Sequence, residues 1–127
     1  MKNLDSTYDK ENIFAKILRE EIPCSKVYEN EFCLAFKDIN PQADVHILVI
    51  PKGEYVSMDD FSSKASSEEI NSFFRAVGEI ARQLEVSNSG YRIISNHGPD
   101  SHQEVPHFHF HILGGNPLGP LLTKDGK

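Results

Sequence analysis

Sulfur is scarce in this chain, where Cys24 and Cys33 are the only cysteines. A fold of this size in a reducing compartment needs no disulfide, so the two thiols read as partly buried small residues rather than a redox pair. Long apolar runs are missing too: nothing approaches the ~20 residues of a membrane helix. The opening stretch from Met1 to Asp9 has no apolar segment and no signal-type cleavage pattern. A cytoplasmic protein with no membrane partner is therefore expected. Basic clusters are also absent. The 13 Lys and Arg residues are outnumbered by 19 Asp and Glu, for a formal net charge of -6. That balance excludes a nucleic acid polymer as the expected partner, because phosphate-backbone binding needs clustered cations. A single phosphate is still possible, since backbone N–H groups and one or two side chains can hold it. There is no internal repeat and no low-complexity segment.

What is present is an ordinary globular composition, with 127 residues, 39% apolar and 25% charged, enough for one domain with a modest core. Residues 1–9 are polar and read as a flexible N-terminus. Asp9 to Glu21 reads as a helix, with Ile13, Phe14, Ile17 and Leu18 as its apolar stripe and Pro23 as its stop. Lys26–Glu29 and Phe32–Phe36 read as a hairpin around Asn30-Glu31. Asp38 to Gln42 is a turn. His46–Ile50, β-branched and nearly all apolar, reads as a central strand stopped by Pro51. Residues 52–65 read as a mixed loop. A long helix follows, opened by the capping box Ser66-Ser67-Glu68-Glu69 and carried by Ile70, Phe73, Phe74, Val77, Ile80, Ala81 and Leu84. Ser87 to Gly90 breaks it. Tyr91–Ser95 is a fourth strand, 96–104 a polar loop, and Val105–Leu113 a fifth strand ended by Gly114-Gly115. The tail from 118 to 127 reads as irregular. The early strands are joined too tightly for crossovers. The expectation is thus an α+β fold with a five-stranded, mainly antiparallel sheet, one short and one long helix, and the helices on one face.

Three of the six histidines fall within five residues, in His107-Phe108-His109-Phe110-His111. On a strand these three share one face, ~6.6 Å apart at successive positions, while Phe108, Phe110 and Ile112 share the other and suit a core. Two chemistries fit. Two His at i, i+2 can ligate one Zn²⁺, although the third lies ~13 Å from the first and an outside ligand would have to complete the shell. Alternatively, neutral imidazole is a good nucleophile toward phosphorus near neutral pH. Its neighbours could then donate to the phosphoryl oxygens as charge develops.

The segment Val105 to Gly115 resembles the signature of the histidine triad (HIT) family, and its closing Gly-Gly is similar to the Hint branch. The resemblance runs on through Ile13–Ile17, Ala35–Ala43, His46–Pro51, and Asn96, Gly98 and Gln103–Val105, so that it covers roughly residues 12 to 115 of a domain placed at 10–117. It implies a hydrolase that acts at the α-phosphate of purine nucleoside phosphoramidates and adenylates, releasing AMP without metal or other cofactor, in a homodimer. It also implies roles. His109 would be the nucleophile, its other nitrogen bound to the His107 carbonyl. His111 and His107 would polarise the phosphate, and His46 would be a fourth site histidine. Asp38 would accept from the ribose. Ile13, Phe14, Phe36, Ile39 and Leu48 would wall the base, and Asn96, Gln103 and Glu104 would line the phosphate. His97 and His102 are left out as solvated loop residues.

The chain departs from the family in several places. Asn12-Ile13-Phe14-Ala15 lacks the Cys-x-x-Cys that binds structural zinc in many relatives. Glu104 stands where some relatives have a Ser that assists the leaving group, and His102 where some have Gly. There is no Trp to compare with the C-terminal Trp of some relatives. Competing readings are a zinc enzyme using the same histidines, a dinucleoside polyphosphate hydrolase, and a nucleotide-binding regulatory protein with little turnover. A uridylyltransferase fits less well, because that branch differs where His111 stands.

Overall fold

The computed structural model describes residues 8–122. In chain order the elements are α1 (Ile13–Leu18), β1 (Lys26–Glu29), β2 (Cys33–Lys37), β3 (Val45–Pro51), α2 (Met58–Lys64), α3 (Ser67–Gln83), β4 (Tyr91–Ile94) and β5 (Phe110–Gly114), with a 3-10 turn at Pro99–Ser101. The five strands form one antiparallel sheet in the order β1-β2-β3-β5-β4. This is the expected α+β architecture.

Strand alternation splits the sheet into two faces. Cys33 and Ala35 of β2, Ile47 and Val49 of β3, and Phe110 and Ile112 of β5 pack with Phe73, Ala76, Val77 and Ile80 of α3. Phe61 of α2 joins this core and stacks on Phe108 with ring centroids 4.7 Å apart. Leu34 and Phe36 of β2 and Leu48 and Ile50 of β3 point the other way, onto Phe14 and Ile17 of α1. The helices therefore occupy both faces, which corrects the one-face expectation. α1 is short, so the core it makes on the opposite face is smaller than the one under α3.

The helix bounds also differ from expectation. α1 has six residues rather than thirteen. The Asn12 side chain caps it by accepting from the Ala15 N–H at 2.9 Å, and Glu20 leaves the helix in the left-handed region at φ 64°. The 52–65 segment, expected to be a loop, contains α2. Ser57 caps it, and a seven-residue helix with a single apolar core anchor, Phe61, shows no periodicity. The capping box on α3 is present as expected. Ser66 Oγ accepts from the Glu69 N–H at 3.1 Å, and Glu69 accepts from the Ser66 N–H at 2.9 Å.

β5 begins at Phe110, not Val105. Pro106 has no N–H to give a ladder, and the His107 N–H turns back to the Val105 carbonyl at 2.8 Å. Gly114 and Gly115 end β5 for steric reasons. A Cβ on Gly114 would sit 3.2 Å from the Gly90 oxygen, and Gly115 has φ +87°. Of the expected loose ends, residues 1–7 and 123–127 lie outside the described residues. Tyr8 and Asp9 are described, and Tyr8 reaches the histidine segment.

Candidate functional site

One row across the α1 face carries much of the site. Antiparallel register sets Phe36 opposite Leu48, Leu48 opposite His111, and His111 opposite Ile94. Above this row lies a cavity of about 480 Å³, within the range of small-molecule sites. Its apolar end is walled by Ile13, Phe14, Ile17, Ile22, Phe36 and Leu48. Its polar end has Asp38, Asn96, Ser101, Glu104, His109 and His111. Ile39 also lines the cavity and is 88% exposed. A second hollow of about 530 Å³ shares Ile17, Ile22, Pro23 and Cys24 but has no histidine.

The histidine segment is coiled at residues 107–109 and becomes strand at Phe110. The rings nevertheless gather on the α1 side. The Phe14 ring is 6.3 Å from that of His107 and 5.0 Å from that of His109, and His109 is 5.1 Å from His111. Hydrogen bonds fix their tautomers. The carbonyl of His107 can only accept, so the 2.7 Å contact puts a proton on His109 Nδ1 and leaves the Nε2 lone pair free. Ser95 Oγ donates to the His109 carbonyl at 2.9 Å and steadies the same residue. The Gln42 N–H donates to His46 Nδ1 at 3.0 Å, so His46 carries its proton on Nε2. That proton faces His111 Nδ1 at 2.9 Å, which leaves Nε2–H of His111 as its remaining donor. Asp38 Oδ2, 3.3 Å from the same His46 Nε2, is a second and longer acceptor beside that N–H.

Burial keeps these imidazoles uncharged. His46, His109 and His111 all have pKa values below the ordinary 6.5 because burial penalises the cation; for His111, neighbouring His109 and His46 add to the effect and bring it to about 4. Asp38 opposes the shift in each case. His107 is fully buried and sits at about 4, again chiefly through burial. A neutral His109 is the reactive form for attack on phosphorus.

Most of the expected site residues meet at this cavity, but two take different positions from those expected. His107 was expected to polarise the phosphate. Its Nε2–H donates to the Pro51 carbonyl at 2.8 Å and its Nδ1 bonds the Tyr8 hydroxyl, so neither nitrogen is left for a ligand. Its backbone carbonyl accepts from His109 Nδ1. Gln103 was expected to line the phosphate. Its side chain is consumed in bracing the loop, accepting from the Gly98 N–H at 2.9 Å and donating to the Val56 and Val105 carbonyls at 2.7 and 3.0 Å. His46 stands behind His111 rather than in the cavity wall.

Asp38 serves as a turn residue and a wall residue at once. One oxygen accepts from the Asn40 N–H at 2.8 Å, and the side chain still lines the cavity. His102, left out of the sequence expectation, does line the cavity. It pairs with Glu104 at 3.1 Å from a left-handed backbone, φ 62°, where a glycine would be unstrained. Ser95, Ser101, Ile22 and Cys24 were also missed; they come from segments far apart in sequence, and no motif links them.

Asp38, His46 and His111 place one possible metal donor each within 4.8 Å of one another, a set that differs from the i, i+2 pair expected for zinc. Occupation would push the His46 proton onto Nδ1, toward the Gln42 N–H. The trio is better arranged for relaying hydrogen bonds to His111.

An open antiparallel sheet with a His-x-His-x-His segment whose second and third histidines line a small-molecule cavity is the arrangement of a histidine triad protein. The HIT domain family model matches residues 19–118, and the chain belongs to the HIT family. A 13.2 kDa HIT-like protein of Azospirillum brasilense is 62% identical over 118 residues, which cover 93% of this chain and 97% of that one. The purine nucleoside phosphoramidase of Escherichia coli K12 is 41% identical over 117 residues, covering 92% and 98%. Among solved structures, a HIT family hydrolase from Clostridium thermocellum superposes with a TM-score of 0.83 at 35% identity, covering 91% and 99%. Among the described residues no helix is long and apolar enough to cross a membrane.

Proposed function

We propose that the protein is a metal-independent hydrolase acting in the cytoplasm at the α-phosphate of purine nucleoside phosphoramidates and adenylates, with AMP as product. The observation that carries this reading is the His109 tautomer. Its Nδ1–H is tied to the His107 carbonyl at 2.7 Å, and the opposite nitrogen belongs to a neutral ring in the wall of the cavity. The similarity to a purine nucleoside phosphoramidase supports the substrate class.

The apolar end, with Ile13, Phe14, Phe36, Ile39 and Leu48, takes the base, and Asp38 accepts from the ribose hydroxyls. Asn96 and Glu104 border the phosphate. His109 Nε2 attacks the phosphorus. The P–N bond breaks with its electron pair going to the amine, which takes up a proton from solvent and leaves. Nε2–H of His111 donates to a phosphoryl oxygen as charge builds, and the hydrogen bond from His46 holds His111 in that tautomer. Water then attacks the nucleotidyl-histidine at phosphorus, loses a proton, and releases AMP with His109 restored.

The active unit is a homodimer. β4 is an edge strand that carries exposed Tyr91 and Ile94, and Phe74 of α3 is exposed as well. Light scattering at micromolar concentration reads the assembly directly, and a monomer there rejects it.

The decisive test is His109→Asn. This variant should bind AMP as the wild type does and release none from adenosine phosphoramidate. Normal turnover would remove His109 from the role of nucleophile. Parallel assays with a dinucleoside polyphosphate measure the substrate preference.

A further inference from the structure

We propose that Tyr8 is a positioning residue for the histidine centre: its hydroxyl, reaching in from the segment before α1, locks the His107 ring and so aims the carbonyl that orients His109. This rests on the functional reading above only for its effect on turnover; the hydrogen-bond linkage stands on geometry alone.

The argument begins with satisfiability. His107 is the most buried of the site histidines, at 0% exposure, and both its nitrogens need partners. The Pro51 carbonyl at 2.8 Å is an acceptor only, so it fixes the ring proton on Nε2. Nδ1 is then a bare lone pair in an apolar pocket, and the Tyr8 hydroxyl supplies its donor. The two rings also meet edge to face with centroids 5.6 Å apart. Backbone contacts grip the same peptide: the His107 N–H bonds the Val105 carbonyl at 2.8 Å, and the Phe108 N–H bonds the Tyr55 carbonyl at 2.7 Å. The His107 carbonyl that emerges from this clamp accepts from His109 Nδ1.

The segment that brings Tyr8 here is itself fastened. Lys10 pairs with Glu54 at 2.8 Å, the Arg19 guanidinium donates to the Lys10 carbonyl at 2.8 Å, and Asn12 donates to the Asp9 carbonyl at 2.7 Å. Removing the Tyr8 hydroxyl leaves a buried acceptor without a donor. The ring then has reason to take its other tautomer or tilt, and the carbonyl moves with it. A nucleophile is sensitive to such tilts because attack needs close alignment with phosphorus.

Tyr8→Phe keeps the ring contact and deletes only the hydroxyl. In the full chain, kcat on adenosine phosphoramidate should fall by roughly 10- to 100-fold, with KM within about twofold. The ¹⁵N histidine spectrum should show His107 leaving a single Nε2–H tautomer. In a His107→Asn background the same substitution should change kcat by less than about twofold, since the two residues act as one unit. An unchanged His107 spectrum with unchanged kcat overturns the inference. So does an equal loss in both backgrounds, or a loss confined to KM, because these are signs of a structural role alone. If the wild type turns over no phosphoramidate, the functional reading fails, and the His107 spectrum of Tyr8→Phe still decides the linkage.

Discussion

The two faces of the sheet are made by the same strands and do opposite work. On one face Ile47, Val49, Phe110 and Ile112 meet α3 in a core that is apolar throughout. On the other, Leu48 and His111, alternate residues of the same two strands, stand under a cavity roofed only in part by α1, with His46 behind His111. α3 runs seventeen residues and covers its face, whereas α1 runs six and cannot. The difference shows how one antiparallel pair can supply stability and chemistry together: alternation separates them, and helix length decides which face stays open.

This division predicts opposite outcomes for substitutions only one residue apart. His109→Asn should lower turnover by at least ~10³-fold while changing unfolding free energy little. Chemical denaturation beside the kinetic assay reads both, and a large loss of stability would blur the contrast. Phe108→Ala should do the reverse. It empties a stacked position between Phe61 and Phe73 and should cost about 3–5 kcal/mol of stability in denaturant unfolding. A near-neutral result would mean that the helical face collapses to fill the gap.

Acid should attack the histidine face first. His107 and His111 titrate near 4 in the folded protein against an ordinary 6.5, so the unfolded chain binds protons that the folded one refuses. Their contribution is fully present above pH 6.5 and is lost as pH falls from 6.5 toward 4. For fully buried His107 this amounts to ~3 kcal/mol. Denaturation midpoints across that range measure it, and His107→Asn should flatten the slope. At the cavity rim, His102→Gly should change stability by no more than about 1 kcal/mol, since it relieves a left-handed histidine but frees the unfolded chain. The smallest effect belongs to Lys10→Ala at an ion pair whose side chains are 66% and 52% exposed, where we expect under ~0.5 kcal/mol.

Local rules account for what was legible. The α3 capping box, the five strands and the core role of Phe108, Phe110 and Ile112 followed from cap chemistry and periodicity. They failed where the signal was too short or was overruled. α2 has one buried anchor in seven residues. The expected strand over residues 105–109 had the right residue types, but Pro106 and the turned-back His107 N–H break the ladder. Within the site, His109, His111, Asp38, Phe14, Phe36 and Leu48 converged as the family resemblance implied. His107 and Gln103 did not, because a motif gives residue type and order but not which atoms are already spoken for.

The sequence by itself determined which residues alternate across the strands, and so that His111 would face one side of β5 and Phe110 and Ile112 the other. Alternation is a property of the extended backbone and needs no partner. Only the tertiary structure decided that His107 turns inward while His109 keeps a free nitrogen, that His46 backs His111, and that Tyr8 and His102 belong to the site. Hydrogen-bond partners such as Pro51, Gln42 and Tyr8 lie from four to ninety-nine residues away from the rings they hold, and packing alone brings them within reach.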